Sequence, residues 1–288
     1  MSDLPEQAQQ EPVAADQNSA VEPPQTGTRF SVGIDLGTTH CVLSYADLDR
    51  IDDEGFSPQV MAIPQLTSPG SVEEKLQLPS FLYQAHEVEL AADSTSLPWA
   101  VKPDFLVGEI ARNLGSKTPI RLVASAKSWL CHTGVDCKAP ILPAEAPDEV
   151  ERVSPFQATT AYLQHLRDAW QSQHPNAPLE RQDVVITVPA SFDPAARELT
   201  VEAARAVGLG QAILLEEPQA ALYSWIEKSH GDWRKHAEVG DIILVVDVGG
   251  GTTDLSLIAV TEKDGNLELT RVAVGDHILL GGDNMDLA

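Results

Sequence analysis

The sequence predicts an α/β fold with a partly parallel sheet, and two observations carry that prediction. From Asp183 to Asp247 the pattern alternates strand, helix, strand, helix, strand, the order that layers helices on a sheet. One device also occurs twice. In Ile242–Glu262, IILVVDVGGGTTDLSLIAVTE, an apolar run ends in Asp247, turns through Gly249, Gly250 and Gly251, and leaves through Thr252, Thr253 and Asp254 into a second strand. In Phe30–Ala46, FSVGIDLGTTHCVLSYA, the same order appears around Asp35, Gly37, Thr38 and Thr39. Glycines at a strand end bring bare backbone N–H groups close to a ligand. Flanking carboxylates and hydroxyls suit a phosphate chain carrying a hard cation, which takes oxygen ligands or the waters they hold. Two copies point to one shared nucleotide-phosphate site.

Taken in order, Met1 to Thr28 is rich in Pro, Gln, Glu and Ala and poor in large apolar residues. Such a segment cannot offset its ordering entropy, so a disordered tail is expected. Arg29 to Asp47 forms the first hairpin, and Asp49 to Gly55 an acidic turn. Short strands follow at Val60–Leu66, Ser80–Gln84 and Phe105–Val107, with an irregular loop at Leu90–Lys102. A helix is expected from Glu109 to about Leu114. In IRLVASAKSWL, Leu122, Val123, Ala126, Trp129 and Leu130 mark one helical face. That pattern alone makes Lys127 a solvated helix lysine. Cys137 to Val150 reads as loop.

Ser154 and Pro155 are an N-cap and first-position pair opening a helix to Gln171. Asp183–Val188 is a buried strand stopped by Pro189, and Asp193 caps a helix from Pro194 through Val207 that Gly208 ends. Ala212–Leu215 is a strand, Glu217–Lys228 a helix, and Ile242–Val246 a buried strand. Lys263–Asn266 is a turn before a last strand, Leu267–Val274.

A chain of 288 residues has room for one large domain or two ordinary ones. The formal charge of −24 weighs against nucleic acid or an anionic membrane as partner. It does not exclude ATP, whose phosphates backbone amides and a cation can offset. Cys41, Cys131 and Cys137 show no Cys-x-x-Cys spacing, so free thiols in a reducing cytosol are expected rather than a disulfide framework or zinc site. With no spanning apolar segment and no secretory start in the sequence, a cytoplasmic protein is expected.

VGIDLGTTHCVLSY, VVITVPASFDPAARELTVEAARAVGL, EEPQAALYSW, ILVVDVGGGTTDLS and VGDHILLGGDNMD together resemble the nucleotide-binding domain of the seventy-kilodalton heat-shock chaperones (DnaK type). The resemblance runs from about Arg29 to Ala288. It implies the actin-like, ribonuclease-H-like ATPase fold, in which two lobes close on ATP or ADP with Mg²⁺ and K⁺. Residues 29–240 then correspond to lobe I and 241–288 to the first strands of lobe II. Asp35, Asp247 and Glu217 match groups that hold the metal's water shell, Glu217 also helping to position water. Gly37, Thr38 and Thr39 match the first phosphate loop, and Gly249, Gly250, Gly251 and Thr252 the second. Asp254 matches a carboxylate implicated in ion binding or base function. The alignment reverses the pattern-based reading of Lys127, placing it where a lysine orients the attacking water.

Pro189 and Arg197 match a switch proline and relay arginine that couple nucleotide state to a substrate domain. His40, Ser191 and Thr253 depart from the commonest residues, and none removes a phosphate or metal group; Ser191 stands where an aromatic is usual. In the family the second lobe continues past LGGDNMD, supplies the adenine contacts, and precedes a linker and peptide-binding domain. The chain is therefore expected to behave as a fragment, binding nucleotide weakly and turning it over poorly. Unfolded clients and co-chaperones would be met through the missing part. The alternatives are a non-hydrolysing sensor or scaffold, or another actin-superfamily ATPase or sugar kinase. The two phosphate loops are common to all of these.

Overall fold

The computed structural model describes residues 27–50, 58–86, 88–132, 134–263, 266–275, 278 and 280–282. Most of the expected tail, part of the acidic turn after Asp49, the centre of the Lys263–Asn266 turn and the end of the chain lie outside them. The first hairpin is β1 (Phe30–Leu36) and β2 (His40–Asp47), antiparallel with Phe30 opposite Asp47 and Asp35 opposite Val42. Alternate residues of β1 are buried, as expected for a strand covered mainly on one face. β3 (Gln59–Val60) extends the sheet beyond β2. Next come a separate hairpin, β4 (Ile63–Ser68) and β5 (Ser71–Lys75), and β6 (Leu78–Pro79), which pairs with the start of β2. β7 (Leu82–Tyr83) lies between β8 (Leu106–Val107) and the later β9 (Leu122–Val123), with α1 (Glu109–Gly115) between those two in sequence.

The expected helix over Ile120–Leu130 is broken. Pro119–Arg121 forms a 3₁₀ turn, β9 follows, and only α2 (Ala126–Trp129) is helical. Ser125, at φ 53°, makes the break. The left-handed conformation is costly for a residue with a Cβ, and here it re-aims the turn that carries Lys127. Periodicity detected the apolar residues but not the break, because a short strand and one turn can imitate a helical stripe.

α3 (Pro155–Gln173) begins with the reciprocal Ser154–Gln157 capping box. It packs Ala158, Tyr162, Leu166, Ala169 and Trp170 into the main core with Ile34, Leu43 and Ile186. β10 (Asp183–Val188) runs parallel to β1, putting Thr187 beside Asp35. Buried Gln182 fastens the start of β1, its side-chain oxygen accepting from the N–H groups of Arg29 and Phe30. α4 (Pro194–Ala206), capped by Asp193 through the Ala196 N–H, leads to β11 (Ile213–Glu216), parallel to β10. The main sheet thus has the order β11-β10-β1-β2-β3, with β6 also on β2.

α5 (Glu217–Lys228) connects this sheet to a three-stranded antiparallel one. Its strands are β12 (Ile242–Val248), β13 (Thr253–Lys263) and β14 (Asn266–Val274). The expectation that Ile242–Val246 is buried needs correction. Ile243 packs on the Trp233, Ala237 and Val260 cluster, whereas Ile242, Leu244, Val246 and Val248 are all more than half exposed. An unbroken apolar run marks two apolar faces. Among the described residues only one of them is covered.

His165, fully buried on α3, donates from Nε2 to the Pro64 carbonyl, 2.9 Å away, and its ring meets Trp99 edge-on. Burial is the main cause that pulls its pKa down to about 4. An unfolded histidine takes its proton near pH 6.5, so between about 6.5 and 4 the unfolded chain binds more protons than the folded one. Stability is therefore expected to fall as the pH drops through that window, by about 3 kcal/mol in all. His165→Gln, which keeps a donor for Pro64, should flatten this part of the melting-temperature profile; an unchanged slope would assign the loss to other groups.

Candidate functional site

Each hairpin tip is shaped by what glycine leaves out. A Cβ on Gly37 would stand 2.2 Å from the His40 carbonyl oxygen, so the first turn closes only without one. In the second turn the Gly249 N–H donates to the Thr252 carbonyl at 2.8 Å. A Cβ on Gly250 would lie 2.0 Å from Thr39 Cγ2, and one on Gly251 would lie 3.0 Å from Thr38 Cγ2. The tips therefore pack directly against each other, threonine methyls in the space that side chains would otherwise fill.

Between them lies a cavity of about 600 Å³. Asp35, Gly37, Thr38 and Thr39 line it from the first hairpin, and Asp247, Gly249, Gly250 and Thr252 from the second. Lys127, Pro189 and Glu217 line it as well. Gly251 faces Thr38 at its edge. Asp254, buried, stands opposite Asp247 in the β12–β13 register. Arg197 is the one candidate residue that lies apart: its guanidinium is bound to the Phe192 carbonyl and to Glu216.

Lys127 is 6% exposed, which rules out the solvated-lysine reading. Its ammonium donates to Glu217 Oε1 at 2.5 Å. Such a buried pair holds its geometry because either charge alone would be costly to desolvate. Burial raises the Glu217 carboxyl above the usual range, Lys127 pulls it back, and Asp35 and Asp247 push it up again. Asp247 is raised too, first by burial, then by Asp254 and Asp35. The carboxylates thus sense one another across the cavity, a concentration of negative charge that favours a cation.

No three His, Cys, Asp or Glu side chains among the described residues converge closely enough to hold a metal ion directly. The oxygen donors that line the cavity, Asp35, Glu217, Asp247 and the threonine hydroxyls, are of the kind a hard cation such as Mg²⁺ takes.

Sequence reasoning missed Thr187, whose hydroxyl donates to Asp35 Oδ1 at 2.9 Å and fixes that carboxylate. Only the parallel register of β1 and β10 reveals it, since Thr187 alternates like any strand residue. Gln77 and Ser224 also line the cavity without any motif to mark them.

A family model described as Hsp70 protein matches residues 100–288. The chain belongs to the Hsp70 family. A chaperone protein HscA homolog from Pseudomonas fluorescens is 31% identical over 270 residues, covering 90% of this chain and 36% of that protein. A heat shock 70 kDa protein from Emericella nidulans is 28% identical over 260 residues, covering 89% and 36%. This Hsp70-family chain thus spans about a third of the length of the curated relatives it matches. Its mixed α/β architecture agrees with the family. No helix among the described residues is long and apolar enough to cross a membrane.

Proposed function

We propose that this chain forms the ATP-binding part of an Hsp70-type chaperone, and that the same cleft hydrolyses ATP in the whole protein. The observation that carries this reading is the meeting of two glycine-tipped hairpins over a buried Lys127–Glu217 pair. On this reading the actin-like division holds, with 29–240 as the first lobe and 241–288 opening the second.

The amides of Gly37 and Gly249–Gly251 and the hydroxyls of Thr38, Thr39 and Thr252 cradle the phosphates. Asp35, Asp247 and Glu217 would hold Mg²⁺ through its waters, and Asp254, opposite Asp247, would serve in ion binding or as a base. A bound Mg²⁺ supplies positive charge to the phosphate oxygens, with K⁺ as a further ion of the site. Lys127 orients the attacking water and stabilises charge developing on the γ-phosphoryl group, while Glu217 holds both lysine and water in place. Phosphoryl transfer asks a protein chiefly for such positioning and charge stabilisation.

Pro189 at the cavity lip and Arg197 behind it relay nucleotide state. Unfolded clients and co-chaperones are the partners of the whole protein, which we place in the cytoplasm. The chain itself binds ATP or ADP weakly and turns ATP over slowly or not at all.

Calorimetric titration with MgADP tests the reading. Binding by the chain is expected to weaken at least about tenfold in Asp35→Asn and on removal of Mg²⁺ with EDTA. Equal affinity in all three measurements would overturn the proposal.

A further inference from the structure

Glu216 and Glu217 are adjacent yet serve opposite sides of the β11–α5 junction. Glu217 reaches into the cleft to Lys127. Glu216, 9% exposed, turns away and receives two arginines. Its Oε1 accepts from Arg197 on α4 at 2.8 Å, and its Oε2 accepts from Arg271 on β14. Arg197 is itself anchored by donating from Nε to the Phe192 carbonyl at 3.1 Å. One buried carboxylate therefore binds the layer of the main sheet to the three-stranded sheet.

The reach of Arg271 follows from the register of the β13–β14 hairpin. From Lys263 opposite Asn266 to Ile258 opposite Arg271 the ladder is regular. Alternation therefore puts Arg271 on the same face as Leu267 and Leu269, which pack on the Trp233 and Val260 cluster. Arg271 stands opposite buried Ile258. The ladder breaks only beyond it: Leu257 pairs with Ala273, so Val272 is the extra residue of a bulge and is left 55% exposed.

We propose that Glu216 is a positioning residue, a two-armed tie that sets the three-stranded sheet, and with it Asp247 and the glycine turn, against the Lys127–Glu217 side of the cleft. The tie deepens the nucleotide-site reading and rests on it for its consequence in binding. Its structural arm stands separately. Without the carboxylate, two guanidiniums face each other with no anion between them, and the second sheet loses its fixed approach.

The test is a double-mutant cycle on this chain with Glu216→Gln, Arg271→Gln and the pair, read by MgADP titration and by hydrogen exchange without nucleotide. Each single variant is expected to weaken MgADP about tenfold, and the double variant no further, because both remove one contact. Exchange at the amides of Gly249 and Thr253, which donate to the Thr252 and Ile278 carbonyls, should rise about tenfold in each, while the core strand Val184–Val188 keeps its protection. Arg271→Lys, which retains a cation and guards against misfolding of the glutamine variants, should recover part of both effects.

Additive losses, or exchange in the 249–253 turn equal to wild type, would overturn the tie. If wild type fails to bind MgADP, the nucleotide reading falls, and the exchange measurement alone decides the tie.

Discussion

Lys127→Met is expected to reduce ATP turnover by the whole protein at least about a hundredfold and to destabilise this chain by up to about 3 kcal/mol. Methionine fills nearly the same volume, so packing near Phe192 should survive; what goes is the ammonium, 2.5 Å from Glu217. Two consequences separate this from general damage. The kinetic loss should fall on kcat with KM for ATP little changed, as follows when an interaction made chiefly in the transition state is removed.

The stability loss should also depend on pH, with a definite sign. Burial already raises the Glu217 carboxyl, and Lys127 is the main group pulling it down. Without the lysine the folded-state pKa climbs further above the unfolded one. The variant therefore regains stability as pH falls through that raised value, when Glu217 takes a proton and its own unpaired charge is gone. Melting temperatures between pH 8 and 5 should show the gap to wild type narrowing toward acid. A constant gap, or unimpaired turnover, would remove Lys127 from the chemistry.

Local signals carried much of this fold into the sequence. The Ser154 capping box, the Asp193 cap and the Asp-x-Gly turns act within a few residues, and the structure has them where the pattern expects them. The tertiary features were less legible. The left-handed turn at Ser125 leaves no mark in the apolar periodicity, and the lysine two residues on, to all appearance a surface one, is buried. The Thr187 hydrogen bond to Asp35 exists only through parallel strand register. The bared side of β12 depends on which layers meet it, something an apolar run cannot encode. No local pattern marks Glu216, because its partners Arg197 and Arg271 come from α4 and β14.

The second large effect is expected far from the cleft. Trp170→Ala should cost about 3–5 kcal/mol, a large part of the roughly 5–15 kcal/mol that holds a domain together. Trp170 has no exposed surface. Its ring stacks on His174 at 4.0 Å between centroids and meets Phe30 and Tyr45 edge-on at 5.3 and 5.5 Å. Its indole N–H donates to the Ala177 carbonyl at 2.7 Å. Alanine would leave a cavity and deprive that carbonyl of its donor, whereas Trp170→Phe keeps most of the apolar contact and should lose roughly half as much. Urea midpoints of the three proteins measure this, and a loss below 1 kcal/mol for alanine would show that the cluster collapses to fill the gap. The damage should stay local in its chemistry. Trp170 grips the Phe30 end of β1, and Asp35 lies at the other end, tied independently to Thr187. Below its lowered melting point, Trp170→Ala should therefore bind MgADP within about threefold of wild type, whereas Lys127→Met folds more readily than it works.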